Sequence, residues 1–207
     1  MVINLRKYPI TWIFGILVIL IYCIFTFTAA SLFTKSWSPL NTWLSDFGNS
    51  NMDYNPKGAI FFNIGCIITG ITLIPFYIGL YKWFSRIDLK WKKIWIRLFV
   101  IIIQIIGSFS GFTLIMIGVF SEDFMEAHIF WSNIFFLLNL GVLILIGFAL
   151  IIHEKFKKII AFYGWIVALV NISFLWFHTP LLEWFTVFTA LGLAALIAYN
   201  SYIAFKE

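Results

Sequence analysis

Six stretches of about twenty apolar residues, separated by short polar clusters, leave this chain few folds to choose from. They run from Trp12 to Ser31, Ala59 to Tyr81, Ile94 to Val119, Ile129 to Ile152, Ile159 to Phe177 and Leu182 to Tyr202. Each is long enough to cross a hydrocarbon layer of ~30 Å as a helix. A segment facing lipid must pair its own backbone N–H and C=O groups, which only helices and closed barrels achieve. Barrel strands would show apolar–polar alternation over about ten residues, and these runs do not alternate. Composition agrees: 62% of residues are hydrophobic and 11% charged, whereas a soluble domain is roughly a quarter charged. The expected fold is all-α, a polytopic membrane protein forming one domain over residues 1–207. It is a six-transmembrane-helix bundle, multi-pass in the cell membrane.

Charge sets the expected direction. Arg6, Lys7, Lys82, Arg86, Lys90, Lys92, Lys93, Arg97, Lys155, Lys157, Lys158 and Lys206 flank alternate ends of the runs, and only Lys35 and Lys57 fall on the other side. The side rich in Lys and Arg is cytoplasmic, so both termini are expected there. The bases therefore serve the membrane surface rather than nucleic acid. The segment from Lys82 to Lys93, in which bases alternate with Trp83, Phe84, Ile87 and Trp91, suits anionic headgroups. The run from Trp12 is too long for a signal-peptide core and is read as a retained first helix. Cys23 and Cys66 both sit in apolar runs and are read as buried thiols, with no zinc or haem-attachment spacing around them.

Most acids lie opposite the bases. Asp46, Asp53, Glu122, Asp123, Glu126 and Glu183 are expected outside, with His128 and His178 at the same edge. Between the first two spans, Leu40, Trp43, Leu44 and Phe47 recur at i, i+3, i+4 and i+7 behind Ser38-Pro39. This spacing predicts a short outer interfacial helix ending at Gly48. Gly107 and Gly111 form a small-x-x-x-small step suited to close helix packing. Pro75 predicts a kink in the second helix.

Polar residues at helical spacing point to a shared outer site. His128, Ser132 and Asn139 fall on approximately one face of the fourth helix, as do Asn171 and His178 on the fifth, while Glu183 and Thr186 open the sixth. Ionisable groups at this depth need partners or water. The candidate catalytic residues are, in order, His128, His178, Glu183, Asp123 and Asp46, with Ser45 a weaker nucleophile candidate. A zinc ion would draw on His128, His178 and Glu183.

The chain resembles the membrane family known as domain of unknown function 998, and more distantly Frag1/DRAM-like multi-pass proteins. The resemblance rests on Ser38-Pro39-Leu40 through Trp43-Leu44-Ser45-Asp46-Phe47-Gly48, and on Asn55-Pro56 followed by Ile60-Phe61-Phe62-Asn63. Gly118-Val119-Phe120-Ser121-Glu122-Asp123, His128 and Glu183-Trp184 complete it. It covers about residues 10 to 205 and implies a six-helix membrane fold with a polar outer face, but no reaction.

Four activities compete. The favoured one is binding of a membrane lipid, a membrane-protein partner or a second copy of the chain through the outward polar site. A zinc-dependent membrane hydrolase of a lipid or amide is the enzymatic alternative. It is distantly similar to the alkaline ceramidase and progestin-receptor-like group, whose seven spans and additional histidine are missing here. Transport of a small hydrophobic substrate would use Asn139, Gln104, Asn171 and Pro75. A b-type haem between His128 and His178 would lie too near the membrane edge to be well buried.

Overall fold

A computed structural model describes residues 8–84 and 90–205. Six long helices account for most of them: α1 (Ile10–Leu32), α2 (Gly58–Ile78), α3 (Lys90–Val119), α4 (Met125–Ile152), α5 (Lys158–Phe177) and α6 (Pro180–Phe205). All six have the length and apolar content to span a bilayer. The protein is a multi-pass membrane protein. The helices start and stop within a few residues of the expected limits because apolar run length sets them. Where they run on, as α3 does back to Lys90, the extra turns continue past the apolar run. Arg6, Lys7, Arg86 and Lys206 lie outside the described residues, and so does part of the segment from Lys82 to Lys93.

Each helix packs beside its neighbours in sequence, and α6 returns to pack on α1, so the six form a ring. Side chains such as Val18, Leu73, Val142, Leu143, Leu193 and Ile197 fill its interior and are nearly inaccessible. Ile105, Leu137, Ile166, Leu169 and Trp176 remain exposed on helix surfaces, as expected where lipid replaces water.

At the α2–α3 seam the two backbones come into close approach. A Cβ added to Gly70 would meet the Gly111 carbonyl oxygen at 2.5 Å, and one on Gly111 would meet the Gly70 carbonyl oxygen at 2.8 Å. Further along, a Cβ on Gly118 would lie 2.5 Å from the Asn63 carbonyl oxygen. Small residues let the two backbones touch, which replaces the hydrophobic drive that lipid cannot supply. The Gly107–Gly111 step therefore does face a partner helix, with Gly107 against the Tyr77 ring. Pro75 lies within α2, which continues to Ile78 before tightening into a 3-10 turn over Gly79–Phe84. Gln104 Nε2 donates to the Ile78 carbonyl at 2.7 Å, supplying a partner to the end of α2.

At the end of the ring where α2 meets the α4–α5 connection, His153 is fully buried between Trp83, Phe156 and Phe205. Its Nε2 donates to the Trp83 carbonyl at 2.7 Å, and its Nδ1 accepts from the Lys155 N–H at 3.2 Å. Burial pushes its pKa down to about 4, with Lys158 and Lys155 adding to the effect and the Trp83 bond opposing it. The unfolded chain, with histidine near 6.5, therefore takes up this proton first. Stability contributed above about pH 6.5 should be lost as pH falls toward 4, by up to about 3 kcal/mol. The difference in melting temperature between the native protein and His153→Gln, followed from pH 7.5 to 4, isolates this contribution. The native protein is expected to lose its advantage through that window, and parallel curves would refute the assignment.

Candidate functional site

The opposite end of the ring carries the α1–α2, α3–α4 and α5–α6 connections. Residues 33–57 fold over it as a cap. The expected interfacial helix does not form there: residues 39–41 make a turn, and only Ser45–Gly48 coil, as a 3-10 helix. The reason is competition for backbone donors. The Leu44 N–H donates to Glu183 Oε2 of α6 at 2.6 Å, and the Ser45 N–H also bonds that carboxylate. The Trp43 N–H is taken by Asp46 Oδ2 at 2.9 Å. Asn41 Oδ1 accepts from both the N–H and the hydroxyl of Ser38, each at 2.9 Å. Side-chain acceptors thus replace the helical ladder. The apolar stripe divides: Leu44 and Phe47 go fully inside, while Leu40 is left exposed.

Three further ties hold the cap. Asp123 accepts from the Ser50 N–H at 2.8 Å, the Ser50 hydroxyl at 2.7 Å and the Asn51 N–H at 3.0 Å. Asn55, fully buried, spreads its Nδ2 donors over the carbonyls of Asp46, Phe47 and Asn49. The Trp184 indole donates to the Thr42 carbonyl at 3.0 Å and stacks on Trp37 with ring centres 5.4 Å apart.

Beneath the cap lies a cavity of about 330 Å³, walled by Trp43 and Ser45 from the cap, Glu122, Met125, His128, Ile129, Ser132, Asn133 and Phe136 at the start of α4, and Phe174, His178 and Glu183 from α5 and α6. His128, His178 and Glu183, expected to converge, do line one space. Asp46 joins it indirectly, through a hydrogen bond to the Glu122 carboxyl. Asp123 is not among its walls and instead anchors the cap. A smaller void of about 40 Å³ continues inward past Glu183, His128 and Phe136 to Tyr22 and Cys66.

Each wall residue has its own constraint. His128 is buried, and its Nδ1 lies 2.9 Å from the Phe120 carbonyl. A carbonyl only accepts, so Nδ1 carries a proton and the ring is fixed in orientation. His178 sits at the end of α5 with φ 44°, the left-handed conformation that closes the helix, and its ring stacks on Phe174. That geometry turns the chain into α6 within two residues. Burial raises the Asp46 pKa, against the lowering effects of the Trp43 N–H, the Glu122 carboxyl and Lys35. Two carboxyls in contact are costly to ionise together, and Asp46 meets the Glu122 carboxyl in this way.

Among the described residues, no three His, Cys, Asp or Glu side chains are grouped closely enough to hold a metal ion. Glu122 is a wall residue that nothing in the sequence singles out from the other outer acids, except its position beside Asp123, immediately before a long apolar helix. A family described as a protein of unknown function (DUF998) matches residues 16–205. The chain belongs to the DUF998 family. In this DUF998 protein the matched region takes in the whole cap and every wall of the cavity. No curated protein and no solved structure matches the chain.

Proposed function

We propose that this protein binds an amphiphile at the capped end of its ring, on the non-cytoplasmic side, with the ligand's positively charged or hydrogen-bond-donating head in the cavity beneath the cap. The observation that carries this reading is the cavity wall, which among the described residues holds two glutamates and no Lys or Arg. A carboxylate in a poorly solvated space attracts a cation more strongly than it would in water. The Trp43 ring offers a second surface that suits a cation. Met125, Ile129, Phe136 and Phe174 supply apolar walls for the chain that follows the head. At about 330 Å³ the space reaches the range of small-molecule sites. The clustering of bases at the other end favours an outward position for the cap.

The test is binding in lipid nanodiscs, read as a saturable rise in melting temperature. Dodecylamine should stabilise the protein, dodecanoate should not, and Glu122→Gln should weaken the amine by about tenfold. Equal stabilisation by both compounds, or an amine effect untouched by Glu122→Gln, would defeat the proposal. The hydrolase alternative has His128, His178 and Glu183 in one cavity, although among the described residues they do not group at metal-holding distance. Stoichiometric zinc that is lost in His128→Ala would favour it over binding alone.

A further inference from the structure

Deeper in the ring, at the level of Val18, Leu73, Val142 and Leu193, lies a separate chamber of about 90 Å³. Its wall is almost entirely apolar, yet it includes the Asn139 side chain, nine-tenths buried and with no hydrogen-bond partner among the described residues. Thr69 lines the same space, and its hydroxyl is also unpartnered. The other polar groups around the chamber are engaged. Tyr22 bonds Thr26, Tyr77 bonds Ser110, and the Ser110 hydroxyl donates to the Gly107 carbonyl.

An amide carries two donors and one acceptor oxygen, and leaving them unmet in an apolar interior is costly. A water molecule there would need two to four polar partners; the Thr69 hydroxyl is itself closed off from the open space, which leaves Asn139, among the described residues, as the one free group facing the chamber. Lipid hydrocarbon offers none. We infer that the chamber is a second binding site, taking an apolar chain that carries a carbonyl group, with the Asn139 amide as donor to that carbonyl. The size narrows the class. The chamber, at about 90 Å³, is smaller than the ~150 Å³ that admits a benzene ring, so it takes the few carbons of a chain around its carbonyl and not a ring system. Phe136 lines both this chamber and the cavity beneath the cap, so its ring stands between the two. The inference rests on Asn139 and the chamber and stands independently of the charge of any head at the rim.

The full chain in nanodiscs, photolabelled with the methyl ester of a diazirine-bearing palmitic acid, tests it. Adducts are expected on Leu73, Leu143 or Leu193, and Asn139→Leu should reduce them about tenfold while adducts on Ile166 and Leu169 stay constant. Because Asn139→Leu could disturb the ring, a second measurement uses the native protein alone: a diazirine-bearing hexadecane without the ester should label the chamber about tenfold less. Equal labelling by ester and hydrocarbon would overturn the inference. So would adducts confined to Ile166 and Leu169, or a high-resolution map showing only water at Asn139.

Discussion

Glu183→Ala is expected to release the cap from the ring. The Glu183 carboxylate is buried and receives the Leu44 N–H at 2.6 Å, with the Ser45 N–H beside it. Truncation leaves two backbone donors without their acceptor in a dry setting, a loss of about 3 kcal/mol. If that loss falls on local opening of the cap, the open fraction rises by roughly two orders of magnitude. Trypsin reads it directly, since Lys35 and Lys57 are both exposed at the edges of the cap. Cleavage after either should accelerate in Glu183→Ala, whereas Glu183→Gln, which keeps an acceptor oxygen, should fall between the two. Unchanged proteolysis in Glu183→Ala would show that Asp123, Asn55 and Trp184 hold the cap unaided.

Gly70→Leu carries the other large effect, at a different level of the ring. Its first side-chain carbon would meet the Gly111 carbonyl oxygen at 2.5 Å and the Ile115 amide nitrogen at 2.9 Å. Both are backbone atoms, so no rotamer change relieves the clash and α2 must part from α3. Overpacking usually costs 1–3 kcal/mol and occasionally more; a backbone collision along a helix seam belongs at about 3 kcal/mol or above. Gly141→Ala is the control, because its added carbon would come no closer than 3.4 Å to the tip of Ile106. The melting temperature in detergent should fall steeply for Gly70→Leu and stay nearly constant for Gly141→Ala. Comparable behaviour of the two would contradict the close α2–α3 contact.

The six helices were legible because a run of apolar residues long enough to span lipid has a single backbone solution. Gly107 and Gly111 announced close packing, though their spacing named no partner; the partner, Gly70, is visible only once α2 lies alongside. The cap was misread because its fate depends on Glu183, 139 positions from Leu44. An i, i+3, i+4, i+7 stripe predicts a helix only while the backbone donors have nowhere better to go. Glu122 is silent in the sequence for the same reason. Its meaning comes from Asp46, brought to it by the fold of the cap. His153 lies in a short connection whose sequence carries no sign of burial, and its packing against Trp83 and Phe205 is a tertiary fact. The convergence of His128, His178 and Glu183 was visible from helical spacing, since each lies near the same end of a span.

Helix ends and cap together enclose one cavity, which we propose faces the non-cytoplasmic side. Ser132, on its wall, tests it as Ser132→Cys in a Cys23→Ala, Cys66→Ala background, probed in oriented vesicles with a membrane-impermeant maleimide. Modification is expected from the non-cytoplasmic side, suppressed by dodecylamine, with Lys155→Cys reacting from the opposite side alone. Labelling of Ser132→Cys and Lys155→Cys from the same side, or no reaction at Ser132→Cys from either, would contradict it.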